Sequence, residues 1–252
     1  IINLVGVLEN RKKNSFNAVH VQGTNNIVEF CSKYEVEKLI HISSVGVDSQ
    51  LGSMYSSSKA KGEMRITEQF SNVAIVRASL IFGHEDKFFN RYASLAVYSL
   101  AIPLIGEHTK FQPVYVDDVA QAVEKIAFEK NLKGIFELGG PEIFTFKELI
   151  KKMLIVIRRK RLIFSIPFQI ANIMASGFEI VNKITLGLSP LPFTKDNIEQ
   201  LKLDNVISNR EYSFKDLNIK PQNIDTIIPL YLYSYRPHGQ YNEVTKSANE
   251  IN

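Results

Sequence analysis

The fold is decided by residues 38–83, which read KLIHISSVGVDSQLGSMYSSSKAKGEMRITEQFSNVAIVRASLIFG. The two apolar runs, KLIHISS and NVAIVRASLIFG, have the length and β-branched content of strands, and the run between them, YSSSKAKGEMRITEQF, is typical of a helix. A strand, a helix and a second strand in this order form the repeating unit of a parallel sheet covered by helices.

The same alternation continues on both sides of this stretch. The expected elements are a strand over IINLVGVL (1–8), a helix at about 15–34, a helix over DKFFNRYASLAVYSL (86–100), an extended piece FQPVYV (111–116), a helix over 117–130, a strand GIFELGGP (134–141) and a helix over 145–157. We therefore predict a Rossmann-like doubly wound α/β fold with a smaller, mostly helical C-terminal subdomain. The predicted boundaries are 1–145, 146–235 and a polar tail, 236–252.

Two helix starts carry specific expectations. Thr145 and Glu148 have the spacing of a capping box at the start of the helix over 145–157. Asp117 and Asp118 immediately precede an apolar-periodic run, so we expect one of them to cap that helix rather than to take part in catalysis.

Composition narrows the class of protein. Of the 252 residues, 45% are hydrophobic and 22% charged, which suits a globular protein with a real core. The net charge of +4 is mild and, apart from RRKR at 158–161, the basic residues are scattered, so nucleic acid is not an expected partner. Cys31 is the only cysteine, and the five histidines lack metal-ligand spacing, so we expect neither a disulfide within the chain nor a metal site.

A tyrosine and a lysine four residues apart occur twice, as Tyr55–Lys59 and as Tyr34–Lys38. On a helix this spacing brings a phenol and an ammonium to one face, where the ammonium favours the phenolate and so lowers the tyrosine pKa. Tyr34 comes at the end of a predicted helix, whereas Tyr55 begins one. Tyr55 also follows a strand that ends in Ser43 and Ser44, at the edge where parallel sheets bind ligands.

The serine, Tyr55-x-x-x-Lys59 and KGE together resemble the extended or atypical short-chain dehydrogenase/reductase superfamily. By this resemblance Ser43, which aligns better than Ser44, Tyr55 and Lys59 are the candidate catalytic residues. The resemblance also implies that these three residues contact the cofactor. It implies two further sets of cofactor contacts: the residues of NLVG, which pass the dinucleotide (Asn3, Leu4, Val5, Gly6), and part of RASLIFG, which lies near the nicotinamide (Ala78, Ser79, Leu80, Ile81). Surface positions on a helix are the alternative for Tyr55 and Lys59.

The match narrows to one group within this superfamily. FNAVHVQGTNNIVEFC, FGHEDKFFNR, FQPVYVDDVA and FELGGPEIFTFKEL closely resemble the NAD(P)H-binding accessory subunit of respiratory complex I and its bacterial homologues. The resemblance implies NADP or NAD as cofactor, with NADPH favoured, and complex I subunits as partners. It places the protein on the inner face of the energy-transducing membrane, cytoplasmic in bacteria or on the matrix side in mitochondria.

The chain begins inside a predicted strand and without a methionine. Compared with this family, the first β-α units and their glycine-rich turn precede the chain, so we expect a fragment that binds dinucleotide weakly. Three functions stay open: an accessory or assembly subunit with a mainly structural cofactor, an active reductase or epimerase on a small carbonyl or nucleotide sugar, and a nonfunctional remnant.

The stretch PFQIANIMASGFEIVNKI follows the basic run 158–161. Its apolar residues fall at helical spacing on one face: Ile170, Ile173, Met174, Phe178, Val181 and Ile184. Core packing of this face is the expectation. The alternative is an interfacial helix, with the basic run attracting an anionic membrane surface.

Overall fold

The computed structural model describes residues 1–10, 14–47, 52–184 and 193–237. The strands are β1 (Ile2–Asn3), β2 (Leu39–Ser44), β3 (Val73–Ala78), β4 (Ile81–Phe82), β5 (Ala101–Ile105), β6 (Lys110–Phe111), β7 (Val114–Tyr115), β8 (Gly134–Leu138), β9 (Phe144–Thr145) and β10 (Leu162–Ile166). The α-helices are α1 (Gly23–Lys33), α2 (Met54–Gln69), α3 (Phe89–Tyr98), α4 (Val116–Phe128), α5 (Phe146–Val156), α6 (Phe168–Ile184), α7 (Lys195–Leu201) and α8 (Ile224–Leu232).

The main sheet has the order β1-β2-β3-β8, and all its neighbouring strands are parallel. Neighbouring residues of a strand point to opposite faces, so Leu39 packs with α1 and α2 while Ile40 packs with α4. Helices cover both faces, which confirms the predicted doubly wound α/β fold.

Two strands are shorter than predicted, because a side-chain hydrogen bond forms at the point where each strand leaves the sheet. The predicted strand over 1–8 ends at Asn3, whose Oδ1 accepts a hydrogen bond of 3.1 Å from the amide of Val5. The run 72–83 is divided into β3 and β4, which belong to different sheets. At the break, the Ser79 hydroxyl donates to the backbone oxygen of Asn205 at 2.8 Å.

A second, larger core joins α3, β5, α5 and α8. It contains Phe82, Phe89, Ile102, Leu104, Leu149, Ile150 and Ile228. Phe214 and Leu217, far along the chain, pack instead in the core between the main sheet and α4. Both cores therefore contain residues from both sides of position 145, and the predicted boundary stays a prediction. The predicted tail, 236–252, lies outside the described residues from position 238 onward.

Of the two capping predictions, the one for α5 is confirmed and the one for α4 is wrong. The capping box of α5 is confirmed, since the Thr145 amide donates to Glu148 Oε2 at 2.7 Å and the Glu148 amide donates to Thr145 Oγ1 at 3.3 Å. Capping of α4 by Asp117 or Asp118 is wrong. Both lie in its first turn, and Asp118 Oδ2 accepts a hydrogen bond from the Gln222 amide at 2.7 Å.

Helix α6 lies where it was predicted, but the expected core packing is wrong for Ile170, Ile173 and Met174 of its apolar stripe. Ile170 and Ile173 are 51% and 73% exposed, whereas Ala171 and Ala175 are fully buried. The small residues therefore face the body of the protein. Phe178 contacts Phe193, and the side chains of Val181 and Ile184 lie outside the described part.

Candidate functional site

The candidate site lies at the edge where β1, β2 and β3 end. Because these strands are parallel, their carboxyl ends, at Asn3, Ser44 and Ala78, meet at the same edge of the sheet. The amide of Val45 donates to the Ala78 oxygen at 3.2 Å and ties two of these ends together. The predicted contacts from NLVG and from RASLIFG are thus brought to the same edge.

Tyr55 lies in the first turn of α2, which begins there because Ser53 accepts the amide proton of Ser56 at 3.0 Å. Its hydroxyl forms a hydrogen bond of 2.8 Å with Ser44 Oγ. Its ring makes edge contacts with Phe16 and His20. Burial raises the pKa of Tyr55, and the hydrogen bond with Ser44 opposes part of that shift.

Lys59, one turn further along α2, is buried, and its Nζ donates to the backbone oxygen of Ile42 at 3.0 Å. A Cβ atom added to Gly6 would lie 3.5 Å from this ammonium group, so the backbone after β1 passes directly in front of it. Burial lowers the pKa of Lys59, and the carboxylate of Glu63 raises it.

The second tyrosine–lysine pair is not part of a site. Tyr34 is exposed at the end of α1. The Lys38 ammonium turns away from it and donates to the backbone oxygens of Ile126, Glu129 and Leu132 at 2.7, 2.5 and 3.2 Å. This lysine caps the carboxyl end of α4, where backbone carbonyl groups without a partner in the helix favour a cation.

The serine that contacts Tyr55 is Ser44, whereas the sequence favoured Ser43. Ser43 is 5% exposed, and its Oγ has no hydrogen-bond partner among the described residues. Strand alternation accounts for the difference, because neighbouring side chains of β2 point to opposite faces. A catalytic or cofactor-binding role for Ser43 stays a prediction.

The predicted contacts after β3 have different surroundings. Ala78 is buried at the end of the strand, and Ile81 is exposed. Ser79 is buried, and its hydroxyl contacts both the backbone oxygen and the Oδ1 of Asn205. This serine links the sheet edge to the C-terminal segment.

A cleft of about 1390 Å3 opens beside the segment after β1. Gly6 and Leu8 line one side, Arg91 and Tyr98 of α3 line another, and Phe193 lies ahead of α7. The cleft is larger than the roughly 300–1,000 Å3 usual for a small-molecule site, so a small ligand would fill only part of it.

Two buried histidines of the site were not predicted from the sequence. His20 bonds to the Val7 amide and to Ser58, and His41 bonds to Asn3. Four-residue spacing could have found the first, because Phe16, His20, Thr24 and Val28 form the buried stripe of the segment before and within α1. For His41 the signal is its position in β2, two residues before Ser43.

The edge of the parallel Rossmann-like sheet carries a serine–tyrosine hydrogen bond and the buried lysine of a Tyr-x-x-x-Lys motif. This combination defines a protein of the short-chain dehydrogenase/reductase class. Among solved structures, the fold resembles that of Thermus thermophilus UDP-glucose 4-epimerase in complex with NAD. The TM-score is 0.64 and the identity 18%, over 89% of this chain and 72% of that one. Bacillus anthracis dTDP-glucose 4,6-dehydratase in complex with NAD gives a TM-score of 0.63 and 17% identity, over 93% and 71% of the two chains. The family model named RmlD substrate binding domain matches residues 5–163, and the chain belongs to this family.

Comparison with curated proteins shows more specific similarities. The chain is 32% identical over 243 residues to the mitochondrial NADH-ubiquinone oxidoreductase 40 kDa subunit of Neurospora crassa, covering 96% of this chain and 62% of that protein. It is also 32% identical over 209 residues to the mitochondrial NADH dehydrogenase (ubiquinone) 1 alpha subcomplex subunit 9 of Arabidopsis thaliana, covering 81% and 52%. The chain thus spans between half and two thirds of these relatives. The similarities confirm the predicted family resemblance. Within the described ranges, every helix is too short or too polar to cross a membrane.

Proposed function

We propose that the protein is an NAD(P)-binding accessory subunit of NADH:quinone oxidoreductase, with a cofactor that is mainly structural. The observation that carries the proposal is the similarity to the Neurospora 40 kDa subunit, because it extends over 96% of the chain. NADPH is favoured over NAD only by this resemblance.

The site residues fit a dinucleotide. Gly6 has no side chain at the point where its backbone faces the Lys59 ammonium, so a ligand can approach both groups closely. The buried Ser43 hydroxyl has no hydrogen-bond partner among the described residues, and buried polar groups normally have one, which supports a partner supplied by a bound group. The residues that would hold the cofactor are Asn3, Leu4, Val5, Gly6, Ser43, Tyr55, Lys59, Ala78, Ser79, Leu80 and Ile81. When bound, the nicotinamide supplies or accepts a hydride.

The surroundings of Tyr55 argue against proton transfer by its phenol. A general base or acid at neutral pH needs a pKa near the working pH, but burial raises the pKa of Tyr55. The Lys59 ammonium, which would lower that pKa, is bonded to the backbone oxygen of Ile42. The chain's own residues therefore hold and orient a ligand without an activated phenol.

The rival function is an active reductase or epimerase on a small carbonyl or nucleotide sugar. The hydrogen bond of 2.8 Å between Ser44 and Tyr55 favours it, because two hydroxyls so placed could hold a substrate oxygen. Catalytic roles for Ser43, Tyr55 and Lys59 belong to this rival.

Two substitutions separate the functions when dinucleotide affinity and turnover are measured on the whole protein. Lys59→Ala should weaken NADPH binding about tenfold or more, through loss of a charged hydrogen-bond donor, and Tyr55→Phe should leave it nearly unchanged. Lys61→Ala is the matched control, since this exposed lysine lies on the same helix. Carbonyl turnover that Tyr55→Phe abolishes would establish the rival, and equal affinities for all variants would remove Lys59 from the site.

The proposed location is the inner face of the energy-transducing membrane, cytoplasmic in bacteria or on the matrix side in mitochondria, against complex I subunits and anionic lipid. Exposed apolar side chains on α6 and β10 support it, including Ile170, Ile173, Leu162 and Phe164. The basic run 158–161 immediately precedes this surface. Anionic lipids attract each such charge by about 1 kcal/mol near a membrane.

Vesicle sedimentation tests the membrane part. The variant Arg158→Gln/Lys160→Gln removes two exposed charges but keeps Arg159 and Arg161, whose Nε groups donate to backbone oxygens. We expect it to reduce binding to anionic vesicles by about tenfold or more, and high salt should act alike. The control Lys130→Gln/Lys133→Gln removes two exposed charges after α4. Absence of binding by the unmodified protein at low salt would leave a protein partner alone.

A further inference from the structure

Two buried histidines hold the segment Asn3–Val7. His20 lies in a π-helical turn, Asn17–Gln22, immediately before α1, and its Nε2 accepts a hydrogen bond of 3.1 Å from the Val7 amide. His41 lies in β2, and its Nδ1 is 2.9 Å from the Asn3 side-chain nitrogen. Both rings are 2% exposed.

The hydrogen bonds fix the position of the proton on His20. A backbone amide can only donate, so Nε2 is unprotonated and the proton is on Nδ1. Nδ1 lies 2.8 Å from the Ser58 hydroxyl, which donates in turn to the Tyr55 backbone oxygen at 2.8 Å. One directed chain of hydrogen bonds therefore runs from Val7 through His20 to α2.

The proton on His41 is also fixed by its hydrogen-bond partner. Asn3 Oδ1 accepts from the Val5 amide at 3.1 Å, so the Asn3 side-chain nitrogen is the group that faces His41 and donates. His41 Nδ1 must then accept, and its proton is on Nε2. A second proton on either ring would place an N–H against the donor that now bonds to it.

The surroundings also oppose a charge on these rings. Burial comes first, and the Lys59 ammonium second, in lowering the pKa of His20 to about 4 and that of His41 to about 3. The other groups of α2 near the rings are the uncharged Tyr55 phenol, in edge contact with His20, and Glu63, whose charge acts on Lys59. Phe16 stacks on His20 and also contacts the Tyr55 ring.

We infer that His20 and His41 are positioning residues that hold Asn3–Val7 against α2 and β2 while both rings are uncharged. That this segment passes a dinucleotide rests on the proposed function; the hydrogen-bond arrangement does not. Because both pKa values lie below the ordinary 6.5, the attachment is complete above pH 6.5 and is lost as pH falls through about 4 and then 3.

The test measures the whole protein by NMR and amide exchange, without ligand. In the unmodified protein, ring nitrogen shifts at pH 7 should show His20 protonated on Nδ1 and His41 on Nε2, and the Val7 amide should be protected. His20→Phe keeps a ring in contact with Phe16 and Tyr55 but removes both hydrogen bonds, so Val7 protection should fall about tenfold. His108→Phe, on an exposed loop residue, is the control and should change nothing.

A pH series adds a readout that a packing role would not affect. Protection of Val7 should decrease from pH 6.5 towards pH 4 in the unmodified protein and be independent of pH in His20→Phe. The opposite His20 tautomer, or unchanged Val7 protection in the variant, overturns the inference. NADPH affinity is measured separately: failure of the unmodified protein to bind contradicts the proposed function and leaves the exchange results standing.

Discussion

Helices α2 and α6 distribute their side chains in opposite ways. Helix α2 has a polar sequence, yet it buries Ser58, Lys59 and Glu63 against the sheet edge. Helix α6 has an apolar stripe, yet it buries Ala171 and Ala175 and leaves Ile173 exposed.

This difference in burial reflects what each helix packs against. The buried polar groups of α2 have partners: Ile42 for Lys59, His20 for Ser58, and Arg77 for Glu63, whose Oε2 accepts from Nη2 at 2.7 Å. A polar face can be buried when it is paired. An apolar face left exposed after folding is typical of an interaction surface, which agrees with the location proposed for α6.

The largest predicted effect removes the charge partner of α2. Arg77 is buried on β3 between Glu63 and Glu137, so Arg77→Ala would leave two buried carboxylates without their ion-pair partner. We expect a loss of about 3–5 kcal/mol in the free energy of unfolding, measured by urea denaturation. Arg65→Ala, an exposed arginine of α2, is the control. A loss below about 1 kcal/mol would mean that the buried carboxylates need no partner.

The second prediction compares isoleucines in the two helices. Ile66 of α2 is fully buried, and Ile66→Ala should lower the free energy of unfolding by about 2–5 kcal/mol. Ile173→Ala in α6 should change it by less than about 0.5 kcal/mol, because the side chain is already exposed. Thermal melts of both variants give the comparison. Similar losses for the two would show that the apolar face of α6 is covered within the protein.

The third prediction uses glycines. A Cβ atom on Gly62 of α2 would lie 2.3 Å from the backbone oxygen of His20, whereas one on Gly177 of α6 meets no atom within 4 Å. We expect Gly62→Ala to destabilise by about 1–3 kcal/mol through overpacking. Gly177→Ala should stabilise by up to about 1 kcal/mol through helix propensity. Urea denaturation checks both, and equal signs would contradict the contrast.

Periodicity predicted most of the fold, because long amphipathic runs and apolar strands leave few alternatives. The strand–helix–strand order around Tyr55 and the capping box at Thr145 were both readable. Strand ends were not. Asn3 ends β1 with a local hydrogen bond from the Val5 amide, which no periodicity marks, and Ser79 ends β3 beside Asn205, which only the tertiary structure brings near.

The candidate site was predicted in part. The spacing of Tyr55 and Lys59 and their place at the start of a helix distinguished them from Tyr34 and Lys38. The contact of Tyr55 with Ser44 depends on where β2 ends and on how the chain turns afterwards, which the sequence does not encode in any spacing. The role of His20 depends on a backbone amide, which every residue except proline carries, so no motif marks it.

The late return of the chain to the main sheet has a consequence during translation. Tyr212 pairs with β8 and Leu217 completes the core under α4, roughly 80 residues after β8 has been made. At a translation rate of about 5–20 residues per second, the β8 edge of the newly synthesised sheet stays unpaired for roughly 4–16 s. We expect ribosome-bound chains arrested at residue 200 to crosslink to chaperones through β8, and chains followed by a linker long enough for residue 237 to leave the ribosome to do so much less. Equal crosslinking at both lengths would contradict this order of assembly.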